Sequence, residues 1–469
     1  MRKGLLLSLF LIAINASAQD LNHKLQTALA HLQQDSQSRY ASLSLTVMDA
    51  KTGAVVFASN PDMGLATAST LKTITSATAF YLLGKDFQYQ TQVSYTGSIV
   101  NGTLNGDIII SGSGDPTLGS WRWESTKENA ILNTIVGAIK KAGIKSINGR
   151  IIGDESIFGT QSIPEGWIWQ DVGNYYGAGT SGLTWRENQF DIKLKTGSIG
   201  STIGILSTVP AMPYYQFKSE LTNAPAGTGD KSYAFLPVGN TTFYLRGTYA
   251  TDQTKKSISV ALPDPAFDMA YRLKDTLGRE GIPTSAQPES QATLIAKTGS
   301  GLAASPKTPL VTITSPSLSK IIYYLNQKSI NLYAEQLLKT LAWKMGKPAT
   351  TMNGVGVLQD FWKAKGIDPN SLNLYDGSGL SPGDRVTTKT LATILKIVKP
   401  EAWFPDYYES LPTYNNMKMK SGTINNGLSY AGYQTHNGEE LCFSIITNNY
   451  SGSTTAMRQK LFKVLDELK

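Results

Sequence analysis

The first candidates for chemistry in this sequence are a serine and a lysine three residues apart, Ser69 and Lys72. Small residues precede them and apolar residues recur at helical spacing after them, which predicts a helix beginning at or next to Ser69. One turn of that helix places both side chains on the same face. Serine becomes a useful nucleophile when a neighbouring base takes its proton, and a neutral lysine can be that base. The pair therefore indicates nucleophilic catalysis.

A lysine that acts as a base needs an unusual environment. The pKa of a free lysine is ~10.4, whereas a general base works best with a pKa of about 7 to 8. Burial, the positive end of a helix and a second nearby cation all lower the pKa of a lysine. We therefore expect another lysine in the same site.

Two further short patterns supply candidates for the rest of the site. Ser-x-Asn begins at Ser146, Ser329 and Ser371, and Lys-Ser/Thr-Gly begins at Lys51, Lys195, Lys297 and Lys420. The third motif should lie on a strand that pairs with the strand after it. Of the four Lys-Ser/Thr-Gly matches, only Lys420-Ser421-Gly422, which Thr423 follows, meets this requirement. Ser329-Ile330-Asn331 lies in a break between two predicted helices, where its side chains can point into a cleft. We interpret the other matches as turn or strand-end residues.

A second Ser-x-x-Lys match, Ser317 to Lys320, competes with the first. Ser317 and Ser329 fall on one predicted helical stretch, where a rise of ~1.5 Å per residue separates them by about 18 Å. That distance is too long for one site, so Ser69 is the nucleophile candidate.

The chain order of these three patterns is that of penicillin-binding proteins and serine β-lactamases. Over nearly the whole mature chain, the sequence resembles the class C low-molecular-mass penicillin-binding proteins, the S13 family of D-alanyl-D-alanine carboxypeptidases and endopeptidases. Four other segments are similar to family signatures: Gly114-Asp115-Pro116-Thr117-Leu118, Gly153-Asp154, Gly166-Trp167-Ile168-Trp169 and Asp376-Gly377-Ser378-Gly379-Leu380-Ser381. The long segment between the first two motifs favours this class over β-lactamases. Ile330 stands where the family usually has aspartate, and we expect a packing change without loss of activity.

The resemblance implies a role for each candidate residue. The catalytic residues would be Ser69, Lys72, Ser329, Asn331 and Lys420, and the substrate-binding residues Ser421, Gly422, Thr423, Asp171 and Tyr176. Asp171 and Tyr176 would belong to a pocket that reads the diamino acid of a wall stem peptide. The expected partners are peptidoglycan stem peptides as substrates and β-lactam antibiotics as inhibitors, and no metal or cofactor is expected.

The order of predicted elements gives the fold class and the domains. We expect an α/β (α+β) protein: a transpeptidase-like antiparallel sheet flanked by helices, with two inserted β-rich domains. The expected domains are a signal peptide over 1–18, a catalytic domain over 19–91 plus 301–469, a second domain over 92–187 plus 258–300, and a third over 188–257.

Composition bounds the location and the partners. Arg2 and Lys3 precede an apolar stretch that ends at Ala16-Ser17-Ala18, which is typical of a cleavable signal peptide and predicts a periplasmic protein. A net charge of +8 without runs of basic residues argues against binding to nucleic acid. A peripheral contact with a membrane and the formation of a homodimer remain possible interpretations. The single cysteine, Cys442, excludes an internal disulfide.

Two other classes of function remain open from sequence. A β-lactamase-like hydrolase would use the same motifs, and a non-catalytic wall-binding protein would keep the fold without the chemistry. A Ser-His-Asp triad is disfavoured because the chain has only three histidines, two on the first predicted helix and one near a turn.

Overall fold

A computed structural model of the protein describes residues 20–236 and 241–469. The signal peptide expected over 1–18 lies outside the described residues. Within them, the helices are all too short or too polar to cross a membrane.

The α-helices of the described residues are numbered in chain order. They are α1 (20–34), α2 (Lys72–Leu83), α3 (Glu128–Lys141), α4 (Trp169–Val172), α5 (Pro265–Arg279), α6 (Gln291–Thr298), α7 (Leu318–Gln327), α8 (Asn331–Lys344), α9 (Thr351–Ala364), α10 (Thr388–Val398), α11 (Phe404–Ser410) and α12 (Thr454–Asp466).

The strands are numbered in the same way. They are β1 (Ser42–Asp49), β2 (Val55–Ser59), β3 (Gln90–Tyr95), β4 (Ser98–Val100), β5 (Thr103–Asn105), β6 (Ile108–Ser111), β7 (Ser146–Ile147), β8 (Ile151–Asp154), β9 (Gln189–Lys195), β10 (Gly204–Val209), β11 (Gln216–Ser219), β12 (Thr222–Ala224), β13 (Asp230–Phe235), β14 (Thr242–Ala250), β15 (Ser257–Ala261), β16 (Glu289–Ser290), β17 (Thr308–Thr314), β18 (Leu372–Asn373), β19 (Arg385–Val386), β20 (Thr413–Tyr414), β21 (Met417–Ile424), β22 (Gly427–His436) and β23 (Glu439–Asn448).

The chain forms two compact units. The first contains the described residues up to Lys85 together with Ile322–Ile330 and Val355–Lys469, and the second contains Asp86–Ile321 and Asn331–Gly354. The second unit therefore includes α8, which the expected catalytic domain would have contained. The domain limits drawn from the sequence remain a proposal.

The first unit is built on one antiparallel sheet with strand order β2-β1-β23-β22-β21-β20. The start and end of the chain meet there, because β1 pairs with β23 from Ser42 opposite Asn448 to Asp49 opposite Leu441. This confirms the expected sheet formed from both ends of the chain.

The pattern of β1 shows how helices cover both faces of this sheet. Its alternate residues Leu43, Leu45 and Val47 lie in a core that includes α1 and α12. On the other face, the Ser44 and Thr46 hydroxyls hydrogen-bond to the Thr388 hydroxyl of α10, at 2.6 and 2.8 Å. The Ser44 and Thr46 side chains of this strand, which is buried on both faces, therefore have hydrogen-bond partners.

The second unit contains several smaller sheets. A mixed sheet of order β16-β8-β6-β3-β17 shares a core with α3 and α5. Strands β9 to β15 form two further sheets around a separate core that runs from Phe190 to Leu262. The unit is therefore rich in strands, as the glycines and turns of this part of the sequence predict.

The apolar spacing of the sequence predicts helices over 318–327 and 388–398, and both are confirmed at those ends as α7 and α10. Three short helices, α4, α6 and α11, were not predicted. Leu294 is the only buried residue of α6, so its helical face has almost no apolar pattern. The seven-residue α11 carries Pro405 in its first turn and is too short to show a period.

Candidate active site

The nucleophile candidate lies where the chain enters α2. Residues Ala68–Leu71 form a 3₁₀ turn that continues directly into α2 at Lys72. Ala68 has a left-handed backbone (φ 47°), which costs roughly 1 to 2 kcal/mol in a residue other than glycine. The strained residue directly precedes Ser69, whose side chain is half-buried. Strain of this kind is common where a reactive group must be held in place.

The predicted serine–lysine contact is present. The Lys72 ammonium nitrogen donates to Ser69 Oγ at 2.8 Å, and also to the main-chain oxygen of Ser378 at 2.7 Å. Lys72 is fully buried. A base within hydrogen-bond distance of the hydroxyl is the geometry that proton abstraction requires.

A second lysine lies in the same site, as expected. Lys420 of β21 is buried, and its Nζ donates to Ser329 Oγ at 2.9 Å and to the Ser421 main-chain oxygen at 2.8 Å. Burial, and next the charge of Lys72, hold the pKa of Lys420 well below its ordinary value. Two lysines that repel each other in a dry site are easier to deprotonate than either alone.

Ser329 reaches Lys420 because α7 ends just before it. The Ile330 amide donates back to the Leu325 oxygen at 3.1 Å, and Ser329 adopts a left-handed backbone (φ 55°). The predicted break between two helices is therefore a tight turn. It carries a strained serine next to a buried lysine.

Gly422 packs against the backbone of the nucleophile turn. A Cβ added there would lie 2.5 Å from the Thr67 oxygen and 2.8 Å from the Ser69 nitrogen. Only glycine allows β21 to run so close to the Ser69 amide. The next residue along the strand, Thr423, is exposed.

The remaining predicted residues lie together in the second unit. The Asn331 amide at the start of α8 donates to the Tyr176 main-chain oxygen at 2.7 Å, and the Tyr176 hydroxyl donates to Asp171 Oδ1 at 3.3 Å. Burial raises the pKa of the Asp171 carboxyl, and the Tyr176 hydrogen bond opposes that rise. Asp171 and Tyr176 therefore form one connected group with the motif asparagine.

Sequence reasoning missed the loop that binds Lys72. The segment from Asp376 to Ser381 is similar to a family signature, but its side chains predict no role in the site. Its contact with Lys72 is made by the Ser378 main-chain oxygen, which no side-chain pattern encodes. The available signal was the Asp-Gly-Ser-Gly composition, which predicts a tight turn.

An antiparallel sheet flanked by helices, with a serine–lysine pair on one helix and Lys-Ser-Gly on a neighbouring strand, defines the class of penicillin-binding proteins and serine β-lactamases. The family model described as the D-Ala-D-Ala carboxypeptidase 3 (S13) family matches residues 25–468. The chain therefore belongs to the S13 family of serine-type D-alanyl-D-alanine carboxypeptidases.

Two relatives are similar to this chain over most of their length. A D-alanyl-D-alanine carboxypeptidase from Haemophilus influenzae is 26% identical over 82% of this chain and 80% of its own. A D-alanyl-D-alanine carboxypeptidase from an Actinomadura species is 24% identical over 87% of this chain and 78% of its own.

A solved structure is similar to the whole fold. The crystal structure of penicillin binding protein 4 from Haemophilus influenzae has a TM-score of 0.75 at 22% sequence identity, covering 95% of this chain and 97% of its own. The same protein complexed with a β-lactam has a TM-score of 0.71 at 20% identity, covering 96% of this chain and 98% of its own. These likenesses confirm the fold class.

Proposed function

We propose that this protein is a D-alanyl-D-alanine carboxypeptidase and endopeptidase that trims or uncrosslinks peptidoglycan stem peptides through an acyl-enzyme on Ser69. The observation that carries the proposal is the pair of contacts Lys72 to Ser69 and Lys420 to Ser329, at 2.8 and 2.9 Å. Family membership supports the substrate class, and the β-lactam complex of a relative supports acylation by these drugs.

Acylation begins with proton transfer from the Ser69 hydroxyl to the Lys72 amine. Ser69 Oγ then forms a bond to the carbonyl carbon of the penultimate D-alanine. The resulting oxyanion accepts hydrogen bonds from the amides of Ser69 and Thr423. Each such donor is worth roughly 10² to 10³ in rate in other acyl-transfer enzymes.

The tetrahedral intermediate collapses when the scissile C–N bond breaks. Ser329 gives a proton to the departing amine and takes one from Lys420. The proton that Lys72 took from Ser69 then passes to Lys420, so both lysines regain their starting charge. Asn331 hydrogen-bonds the substrate amide, and Ser421 and Lys420 bind the terminal carboxylate. Water then attacks the ester and regenerates the enzyme, whereas a β-lactam follows the same path but leaves slowly.

Asp171 and Tyr176 are proposed to bind the side-chain amino group of the diamino acid. The half-buried Asp171 carboxylate suits a cationic amine, and Tyr176 holds it in place. The reaction is proposed to take place in the periplasm, after export by the signal peptide.

Purified muropeptides test the proposal. Incubation with pentapeptide monomers should release one D-alanine per peptide, and cross-linked dimers should give monomers. Both activities should be absent in Ser69→Ala and inhibited by benzylpenicillin. Intact substrates after prolonged incubation with folded wild type would overturn the proposal.

The β-lactamase alternative predicts a different outcome. It requires fast hydrolysis of the acyl-enzyme, so a chromogenic cephalosporin would be turned over many times. We expect one slow turnover instead. Binding to wall fragments without any acylation would favour the non-catalytic alternative.

A further inference from the structure

Residues 376–379 form a loop that contacts α2 at two successive points. The Lys72 ammonium donates to the Ser378 oxygen at 2.7 Å, and the Thr75 hydroxyl donates to the Gly377 oxygen at 2.6 Å. Lys72 and Thr75 lie one turn apart on the same helix face. Adjacent carbonyls of the loop thus bind the candidate base and the residue one turn beyond it.

The Thr75 hydroxyl differs from the other serine and threonine hydroxyls of α2. Thr73, Ser76 and Thr78 each donate to a main-chain oxygen of the preceding turn. Thr75, which is fully buried, instead donates to Gly377 outside the helix. Its hydroxyl therefore ties the loop to the helix.

The loop is held in shape by Asp376. The buried carboxylate accepts from the amides of Ser378, Gly379 and Ser381, at 3.1, 2.7 and 2.7 Å. Gly379 has a left-handed backbone (φ 78°) and a Cβ there would lie 1.9 Å from the Ala68 oxygen. The loop consequently packs against the residue before the nucleophile as well as against the base.

The contact with the Ser378 oxygen affects the orientation of the Lys72 amine. A neutral lysine amine has two N–H bonds and one lone pair, and the lone pair must face the Ser69 hydroxyl when the proton is transferred. An N–H committed to the Ser378 oxygen restricts rotation of the amine. A displaced loop would leave Lys72 near Ser69 with its lone pair misdirected.

We propose that Thr75 and Asp376 are positioning residues, which fix the Ser378 carbonyl and through it the orientation of Lys72 during acylation. This inference rests on the proposed function, since it assigns Lys72 as the base. Neither residue contacts the substrate in this role. Their loss should therefore slow the chemical step without weakening the binding that precedes it.

The test compares three threonine variants in stopped-flow acylation by benzylpenicillin. Thr75→Val keeps the shape and removes the hydroxyl, and we expect the acylation rate constant to fall about tenfold because small misplacements of reacting groups are costly. The dissociation constant of the preceding complex should be unchanged. Thr75→Ser keeps the hydroxyl and should restore the rate to within about twofold of wild type.

Thr78→Val is the matched control on the same helix. It removes a buried hydroxyl that also accepts from the Trp362 indole at 2.8 Å, so its melting temperature should fall at least as far as that of Thr75→Val. Its acylation rate should be unchanged. Equal rate losses in Thr75→Val and Thr78→Val would assign the effect to stability and overturn the inference.

A second variant keeps the test independent of Thr75. Asp376→Asn replaces one carboxylate oxygen with an amide that cannot accept from the loop amides, and it should also lower the rate constant without changing binding. Wild-type rates in both Thr75→Val and Asp376→Asn would overturn the inference and leave the proposed function standing. Absence of any acylation in wild type would overturn the proposed function itself.

Discussion

The second unit contains a turn in which three consecutive residues other than glycine are left-handed. Arg186, Glu187 and Asn188 have φ values of 57°, 54° and 50°. This conformation costs roughly 1 to 2 kcal/mol at Arg186 and Glu187, whereas asparagine adopts it more readily. The turn persists because buried contacts hold it, and this leads to a prediction in which glycine and alanine reverse their usual order.

The Glu187 carboxylate is the centre of those contacts. It is 1% exposed and accepts from Ser120 Oγ at 2.7 Å, from the Tyr333 hydroxyl at 2.8 Å, and from Arg122 Nε and Nη2 at 2.7 and 3.0 Å. Removing one partner of a buried ion pair costs about 3 to 5 kcal/mol. We expect Glu187→Ala to lower the free energy of unfolding by about that amount.

Glu187→Gly loses the same contacts but relieves the left-handed strain. The relief of ~1 to 2 kcal/mol exceeds the usual backbone-entropy cost of glycine, about 0.5 to 1 kcal/mol. We therefore expect Glu187→Gly to be more stable than Glu187→Ala by about 0.5 to 1 kcal/mol. Asn133, exposed on α3, is the control: there Gly should be less stable than Ala by about 1 kcal/mol.

Urea denaturation followed by tryptophan fluorescence measures these differences, provided that the slopes of the paired variants agree. A higher midpoint for Glu187→Gly than for Glu187→Ala, with the reverse order at Asn133, is the expected result. Equal midpoints, or the same order at both positions, would refute the strain argument.

Two further predictions concern the charged groups. Lys420→Met removes the cation beside Lys72, so the rate of acylation by benzylpenicillin should fall. The acid side of the pH profile should move to higher pH, because the Lys72 amine loses a neighbouring charge that favours its deprotonation. An unshifted profile would contradict the electrostatic role of Lys420. Burial, and next the Asp264 carboxylate, raise the pKa of Glu155 to about 7. The folded protein therefore holds a proton that the unfolded chain releases near pH 4.5, and the free energy of unfolding should fall as pH rises from about 4.5 to 7. Glu155→Gln should make the urea midpoint less dependent on pH across this range. An unchanged pH dependence would show that Glu155 is not its cause.

The sequence predicted contacts between residues close together in the chain better than contacts between distant segments. The contact between Ser69 and Lys72 follows from one helical turn, so spacing alone was sufficient. The contact between Lys420 and Ser329 joins a strand to a distant turn, and motif order predicted it only through the family resemblance. The Ser378 carbonyl has no side-chain signature, and the left-handed turn at Glu187 lies in a segment without glycine. Such features depend on tertiary packing, which overrides local preference.

The central claim is that Ser69 forms the acyl-enzyme, and mass spectrometry of the protein after exposure to benzylpenicillin tests it most directly. We expect one adduct per molecule, mapped by peptide analysis to the peptide containing Ser69, and no adduct in a Ser69→Ala variant with the same melting temperature. An adduct at Ser317, or an adduct that persists in Ser69→Ala, would contradict the assignment. Folded wild-type protein that stays unmodified would contradict it as well.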